Sequence, residues 1–230
     1  MMDPRQQSPF NALPPVVVAL AVVIIGIELL FQAGTAGFIG GREAVGWRLG
    51  ALRDWAVIDS VWAWMWENHA YPPRQVARIV AYPFLHGSMV HAAFVAVFVL
   101  AIGNAVAPVY PNLRLLLIFF GASIGGALVF LIFFDAASPL LGGYPGVYGL
   151  IGAFTYLTQR GLTRADPEKA FLLVGFLLAI QPVFGLVATQ GFGWLPDWSA
   201  DLGGAAAGYG LAIVLFPGAL RRLRDRMRQR

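Results

Sequence analysis

The chain has 230 residues, of which 58% are hydrophobic and only 12% are charged, against about 25% charged in an ordinary soluble domain, so the composition indicates a membrane protein. It contains no cysteine, which excludes a disulfide framework, a thiolate metal site and a cysteine nucleophile. The net charge of +4 does not indicate nucleic-acid binding, because six of the sixteen basic residues lie in the terminal RRLRDRMRQR, after an apolar segment, as is typical of a cytoplasmic membrane face.

Six apolar segments approach the length of about 20 residues that a helix needs to cross a bilayer. They predict spans at about 14–33, 84–106, 113–134, 144–160, 170–189 and 202–217. The first precedes AGTAG, as a cleaved signal peptide would, but its apolar stretch is longer than the roughly 7–15 residues of a signal core. We therefore interpret it as a span, and the chain as an all-α membrane protein with a single domain, residues 1–230.

The basic residues predict the orientation. With the N-terminus inside, the two later external loops, DAASPLLGG and TQGFGWLPDWSAD, hold no basic residue. The first loop, 34–83, holds five arginines, but long loops follow the charge rule poorly. Both termini, including the basic tail 218–230, are therefore expected in the cytoplasm, and the expected location is a bacterial-type inner membrane.

The first loop also holds five of the seven tryptophans, within GWRLGALRDWAVIDSVWAWMWENHAY. Aromatic rings with polar edges prefer the interface between headgroups and acyl chains. The pattern predicts short helices lying in the outer leaflet. The alternative is a globular loop outside the membrane that uses tryptophan as its core.

Ionisable groups at membrane depth are functional candidates, and the sequence offers Glu28, His86, His91 and Asp201. On one regular helix the two histidines would lie about 140° apart, which argues against a shared metal, and no metal or cofactor is expected. Each histidine could instead cap or bridge a loop. Asp201 could cap the sixth span, or it could pair with Tyr144 at the mouth of the fourth span.

Small residues recur at a spacing of four in three spans, at Gly121–Gly125, Gly142–Gly146 and Gly204–Gly208. In lipid such spacings let helix backbones approach closely. The fourth and sixth spans are therefore predicted to touch.

Three motifs follow one another on these spans: HGSMVHAAFV in the second, GGYPGVYGLIGAF in the fourth and ADLGGAAAGYG in the sixth. Together with Trp47 and Arg48 in the long first loop, they make the chain resemble the rhomboid family of intramembrane serine proteases over roughly residues 14–217. In that family the second span carries His-x4-His-x3-Asn, the fourth opens with Gly-x-Ser-Gly, and the sixth carries a histidine followed by Gly-x3-Gly. The resemblance implies a six-span bundle with a long interfacial first loop.

The resemblance also assigns positions to the catalytic groups. His86 and His91 fall on the two second-span histidines, of which the latter helps to form the oxyanion hole. Val95 falls where the family has the oxyanion asparagine. With the fourth span anchored on residues 147–152, Tyr144 falls at the position of the nucleophilic serine, and Asp201 replaces the general-base histidine.

The remaining matches are structural. Gly204 and Gly208 fall on the sixth-span glycines, while Gly146 and Gly152 belong to the glycine-rich fourth span. In the family a Trp-Arg pair anchors the first loop against the bundle, so Arg48 is expected to need a hydrogen-bonding partner there.

Three groups that a serine protease needs are therefore replaced: the nucleophile, the general base and one oxyanion donor. A tyrosine hydroxyl lies several ångströms further from the backbone than a serine oxygen, and a phenolate is a poor nucleophile toward an amide. An aspartate, whose ordinary pKa is about 3.9, is too weak a base to activate it. A relocated nucleophile would have to be one of the serines near the spans: Ser88, Ser123, Ser138 and Ser199.

The resulting hypothesis is a rhomboid-like pseudoprotease that binds transmembrane segments of client proteins without cleaving them, with the lipid bilayer as its other partner and no nucleic acid. The alternative is an active intramembrane serine endopeptidase. A transporter or channel would need more polar spans and paired discontinuous helices, and the sequence contains no inverted repeat.

Overall fold

The computed structural model describes residues 13–163 and 192–218, together with Gly175, Ala179, Pro182, Val183 and Leu186. Within these residues the chain is all-helical, apart from one isolated antiparallel bridge between Val57 and Leu140. The predicted span at 170–189 and the basic tail fall almost wholly outside the described residues.

Five long helices form the described part of the bundle. They are α1 (Pro15–Thr35), α6 (Met89–Val106), α7 (Leu113–Phe133), α8 (Tyr144–Gln159) and α9 (Leu195–Leu215). Three of them, α1, α6 and α7, are long and apolar enough to cross a membrane. The fourth predicted span, α8, has 16 residues and packs against α6, α7 and α9, so it lies inside the bundle.

Two helix starts differ from the sequence prediction. The second span was expected from residue 84, but α6 begins at Met89, because the Ser88 hydroxyl accepts the His91 backbone N–H at 3.2 Å and caps the helix. The sixth was expected from residue 202, but α9 begins at Leu195, with a proline in its first turn, where proline is tolerated. Asp201 therefore lies inside α9, and the interpretation of Asp201 as a helix cap is wrong.

Glycine packing sets the distance between α8 and α9. A Cβ built on Gly204 would collide with the carbonyl oxygen of Pro145, and one on Gly208 with the carbonyl oxygen of Gly149. On the α8 side, a Cβ on Gly152 would collide with the backbone of α9. The predicted contact between the fourth and sixth spans is confirmed.

The same contacts give the helix directions. Pro145 faces Gly204 and Gly149 faces Gly208, so α8 and α9 run parallel. By contrast, Gly121 of α7 faces Leu211 and Gly125 faces Ala207, so α7 and α9 are antiparallel. The start of α7 and the ends of α8 and α9 therefore lie at one end of the bundle.

The first loop consists of short helices, as predicted: α2 (Trp47–Trp55), α3 (Asp59–Glu67), α4 (Pro73–Val76) and α5 (Arg78–Ala81), with 3-10 turns at Gly41–Gly46 and Tyr82–Phe84. The loop packs through Met65, Val57 and Tyr82, which are all buried. Trp62 is half-buried and packs against the cluster that contains Val57 and Tyr82, whereas Trp64 and Trp66 are exposed. The position of the loop in the outer leaflet, and the alternative of a globular loop outside the membrane, stay predictions.

Candidate functional site at the start of α8

The two histidines lie together in front of α8. Because His86 precedes the cap of α6 and only His91 lies on the helix, the separation expected for one regular helix is wrong. Their rings meet edge to face, with centroids 4.9 Å apart and an interplanar angle of 87°.

His86 bridges two segments of the chain. The ring is 1% exposed, and its Nε2 accepts the backbone N–H of Gly143 at 3.4 Å, which leaves the ring proton on Nδ1. Burial, and secondarily the neighbouring His91 ring, lower the pKa of His86 to about 4. His86 is therefore neutral at pH 7. The interpretation of His86 as a histidine that bridges to a loop is confirmed by its bond to Gly143.

Tyr144 covers His91. The two rings stack with centroids 5.0 Å apart and an interplanar angle of 18°, at the first residue of α8. On its other side His91 faces Gly142, where an added Cβ would lie 2.7 Å from Nε2. Gly142 also has a φ of +92°, so both backbone conformation and space require glycine there. The His91 Nε2 is buried and has no hydrogen-bond partner among the described residues.

Val95 occupies the position matched to the oxyanion asparagine. It is fully buried, and its Cγ1 would lie 2.7 Å from a Cβ built on Gly143. An apolar side chain thus packs directly against the backbone that precedes Tyr144, and it offers no N–H to an oxyanion.

Asp201 is a buried acidic residue of this region, 4% exposed. It interacts electrostatically with the hydroxyls of Tyr82, Tyr144 and Tyr148. Burial, and secondarily Asp201, raise the pKa of Tyr82 well above its ordinary value, and the Tyr82 hydroxyl donates to the Ser123 carbonyl at 2.7 Å. A direct Tyr144–Asp201 hydrogen bond stays a prediction.

Two of the candidate serines have structural roles. Ser88 caps α6, and the buried Ser123 hydroxyl donates to the Phe119 carbonyl at 2.9 Å. Ser138 is exposed in the loop between α7 and α8, and Ser199 lies in α9.

A shallow, open apolar groove lies between α6 and α8, beside Tyr144. Its lining is Phe98, Tyr144, Val147, Tyr148 and Ile151. Its lining is apolar and therefore suits contact with an apolar side chain.

Arg48 joins the first loop to the bundle. Its guanidinium donates to both carboxylate oxygens of Glu28, at 2.6 and 2.8 Å, and to the His86 carbonyl at 2.7 Å. Gln32 also donates to Glu28, at 3.0 Å. The expectation that Arg48 needs a partner is confirmed, and Glu28, a buried acid within the apolar helix α1, serves as that partner.

Trp47 packs next to this ion pair. A Cβ built on Gly34 would lie 3.2 Å from its Cε3, and one on Gly40 would collide with its six-membered ring. The pair Trp47–Arg48 therefore holds the start of the first loop against the end of α1.

These features define a class: a helical membrane protein with a histidine pair facing the start of a short, glycine-packed inner helix. Residues 73–218 match the family model described as Rhomboid domain, so the chain belongs to the rhomboid family. It is also similar to Rhomboid-related protein 3 of Homo sapiens, with 26% identity over 166 residues. That alignment covers 66% of this chain and 39% of the human protein.

Proposed function

We propose that this protein is a catalytically inactive rhomboid that binds transmembrane helices of client membrane proteins without cleaving them. The observation that carries the proposal is the stack of Tyr144 on His91. A serine nucleophile would be short and open to the substrate carbonyl. The phenol ring instead covers the histidine matched to the family's oxyanion hole.

The surrounding groups support inactivity. Asp201 stands at the position matched to the family's general-base histidine, Val95 offers no donor, and the His86 Nε2 is occupied by the Gly143 N–H. Catalytic groups act as a unit, so the loss of several leaves only residual rate enhancement.

Client binding is supported by the groove beside Tyr144. Packing between helices in lipid relies on close van der Waals contact, and an apolar groove lined by α6 and α8 would take a client side chain. We propose a single-span helix as the client class.

Photo-crosslinking tests client binding. A photoreactive phenylalanine analogue at position 98 should crosslink to a synthetic single-span peptide in vesicles, whereas the same analogue at the exposed Leu29 of α1 should not. Tyr144→Ala, which removes the half-exposed ring of the lining, should reduce the crosslink. Equal crosslinking at both positions, or no effect of Tyr144→Ala, would count against the groove as a binding site.

We further propose six spans with both termini in the cytoplasm of a bacterial-type inner membrane. Parallel α8 and α9 require the chain between them to return across the bundle, which the apolar segment 170–189 is long enough to do. A reporter fused after Arg230 should read cytoplasmic, and one inserted within 136–141 should read external. An external signal after Arg230 together with a cytoplasmic signal within 136–141 would indicate the reverse topology.

The alternative, an active serine endopeptidase, would have to use a relocated serine. A fluorophosphonate probe should leave the protein unlabelled in lipid. Labelling that disappears with Ser138→Ala would support this alternative instead.

A further inference from the structure

Among the residues that the structure describes, charge is segregated between the two ends of the bundle. Within the described residues, every acidic side chain lies in the half that holds the first loop, the loop between α7 and α8, and the start of α9. At the opposite end, where α7 begins and α8 and α9 end, the described charged residues are Arg114 and Arg160.

Arg114 lies where a lipid-facing surface meets the end of the bundle. It is in the first turn of α7 and is partly exposed. Its neighbours Leu113 and Leu117 are 67% and 47% exposed. Exposed leucines on a membrane helix face acyl chains, so the Arg114 side chain is at headgroup depth.

Arg160 follows the last turn of α8. Its guanidinium carbon lies 5.2 Å from the centre of the Tyr156 ring, a cation–π distance that leaves its N–H groups free to bind an anion. The next apolar side chain, Leu162, is 48% exposed. This arginine is therefore also next to a lipid-facing surface.

α7 and α8 pack antiparallel, with Gly126 against Pro145 and Gly149 against Ala122, so the start of α7 lies next to the end of α8. The charges of Arg114 and Arg160 both act on the Tyr110 hydroxyl between these ends. Tyr110 is fully buried, and its hydroxyl donates to the Ala212 carbonyl at 2.7 Å. This hydrogen bond joins the segment before α7 to α9. The Tyr110 hydroxyl itself carries no charge. In the described part of the chain neither Arg114 nor Arg160 forms an ion pair.

We propose that Arg114 and Arg160 together bind the phosphate of an anionic phospholipid headgroup at this end of the bundle. Guanidinium groups match phosphate oxygens in planar, two-point hydrogen bonds. The adjacent exposed leucines would contact the acyl chains of the same lipid. Charge complementarity favours an anion, and the apolar border favours a lipid over a soluble one.

Native mass spectrometry of the full chain in detergent, with equal amounts of phosphatidylglycerol and phosphatidylcholine, tests the proposal. Phosphatidylglycerol should be retained preferentially, and the double variant Arg114→Gln/Arg160→Gln should lower that preference about tenfold. The matched control is Arg42→Gln, at an exposed arginine of the opposite end, which should keep it. A full-chain variant with the six tail arginines changed to glutamine should keep it too.

Equal retention of the two lipids, an unchanged preference in the double variant, or loss of preference in the Arg42 or tail variant would overturn the proposal. Thermal melting checks that the double variant is folded. Stabilisation by inorganic phosphate equal to that by phosphatidylglycerol would assign the arginines to a soluble anion and would also overturn it.

Discussion

The ring of Tyr144 lies parallel to the ring of His91, with their centroids 5.0 Å apart and their planes inclined by 18°. This stack covers one face of His91, while Gly142 packs against its Nε2. A substrate carbonyl could approach this face of His91 only if the Tyr144 ring moved away. The relationship therefore links the unusual tyrosine of the sequence to the proposed loss of a proteolytic centre.

The contact between α8 and α9 gives the first prediction. Gly208→Leu would force the helices apart, because a Cβ at this position already collides with the Gly149 backbone. Overpacking typically costs about 1–3 kcal/mol, so the melting temperature in detergent should fall clearly. Gly210→Leu is the matched control on the same helix, since a Cβ there meets nothing within 4 Å. Equal melting of the two variants would contradict the close contact.

The Arg48–Glu28 ion pair gives the second prediction. Glu28→Gln would leave the largely buried Arg48 guanidinium without its counter-charge, and breaking a buried pair in this way typically costs about 3–5 kcal/mol. Asp54→Asn removes the partner of Arg74 in an exposed pair and should cost no more than about 1 kcal/mol. Denaturant unfolding of the two variants should separate these costs, and similar values would show that the buried pair is not a principal anchor.

His86 gives a prediction on pH. Its pKa is about 4 in the folded protein, against 6.5 for an unperturbed histidine, so the unfolded chain takes up the proton first as the pH falls. Stability should be full above about pH 6.5 and decrease by up to about 3 kcal/mol by pH 4. His86→Gln keeps an acceptor for the Gly143 N–H but does not titrate, so its unfolding free energy should depend less on pH over this window. An identical pH dependence in parent and variant would exclude His86 as the cause.

The first loop gives a prediction on lipid contact. Trp64 and Trp66 are 49% and 67% exposed, and in an outer-leaflet loop these surfaces would face headgroups. Single-tryptophan proteins retaining Trp64 or Trp66 should be quenched more by shallow lipid-borne quenchers than by aqueous iodide. Stronger quenching by iodide would place the loop in water.

Sequence patterns are informative where local spacing determines the structure. The apolar segments predict α1, α7 and α8 closely, and the glycine spacing predicts that α8 meets α9. Gly204 and Gly208 make this possible because small residues at a spacing of four share one helix face.

Contacts between residues far apart in the sequence cannot be predicted from local spacing in the same way. The cap at Ser88 shifts the start of α6 and thereby brings His86 against His91, although the apolar pattern places both on one helix. The pairing of Arg48 with Glu28 joins residues far apart in the sequence, so only a rule about buried charges could have suggested it. The early start of α9, which places Asp201 inside the helix, follows from a proline that is tolerated in the first turn.

Cleavage of a helix-destabilised single-span substrate in lipid vesicles, read by mass spectrometry, tests the central claim most directly. The unmodified protein should give no product above protein-free vesicles. Tyr144→Ser alone should give none either, because the position matched to the general-base histidine remains Asp201 and Val95 offers no donor to an oxyanion. Product from the unmodified protein that disappears with Ser138→Ala, or turnover restored by Tyr144→Ser alone, would contradict the assignment of this rhomboid as a pseudoprotease.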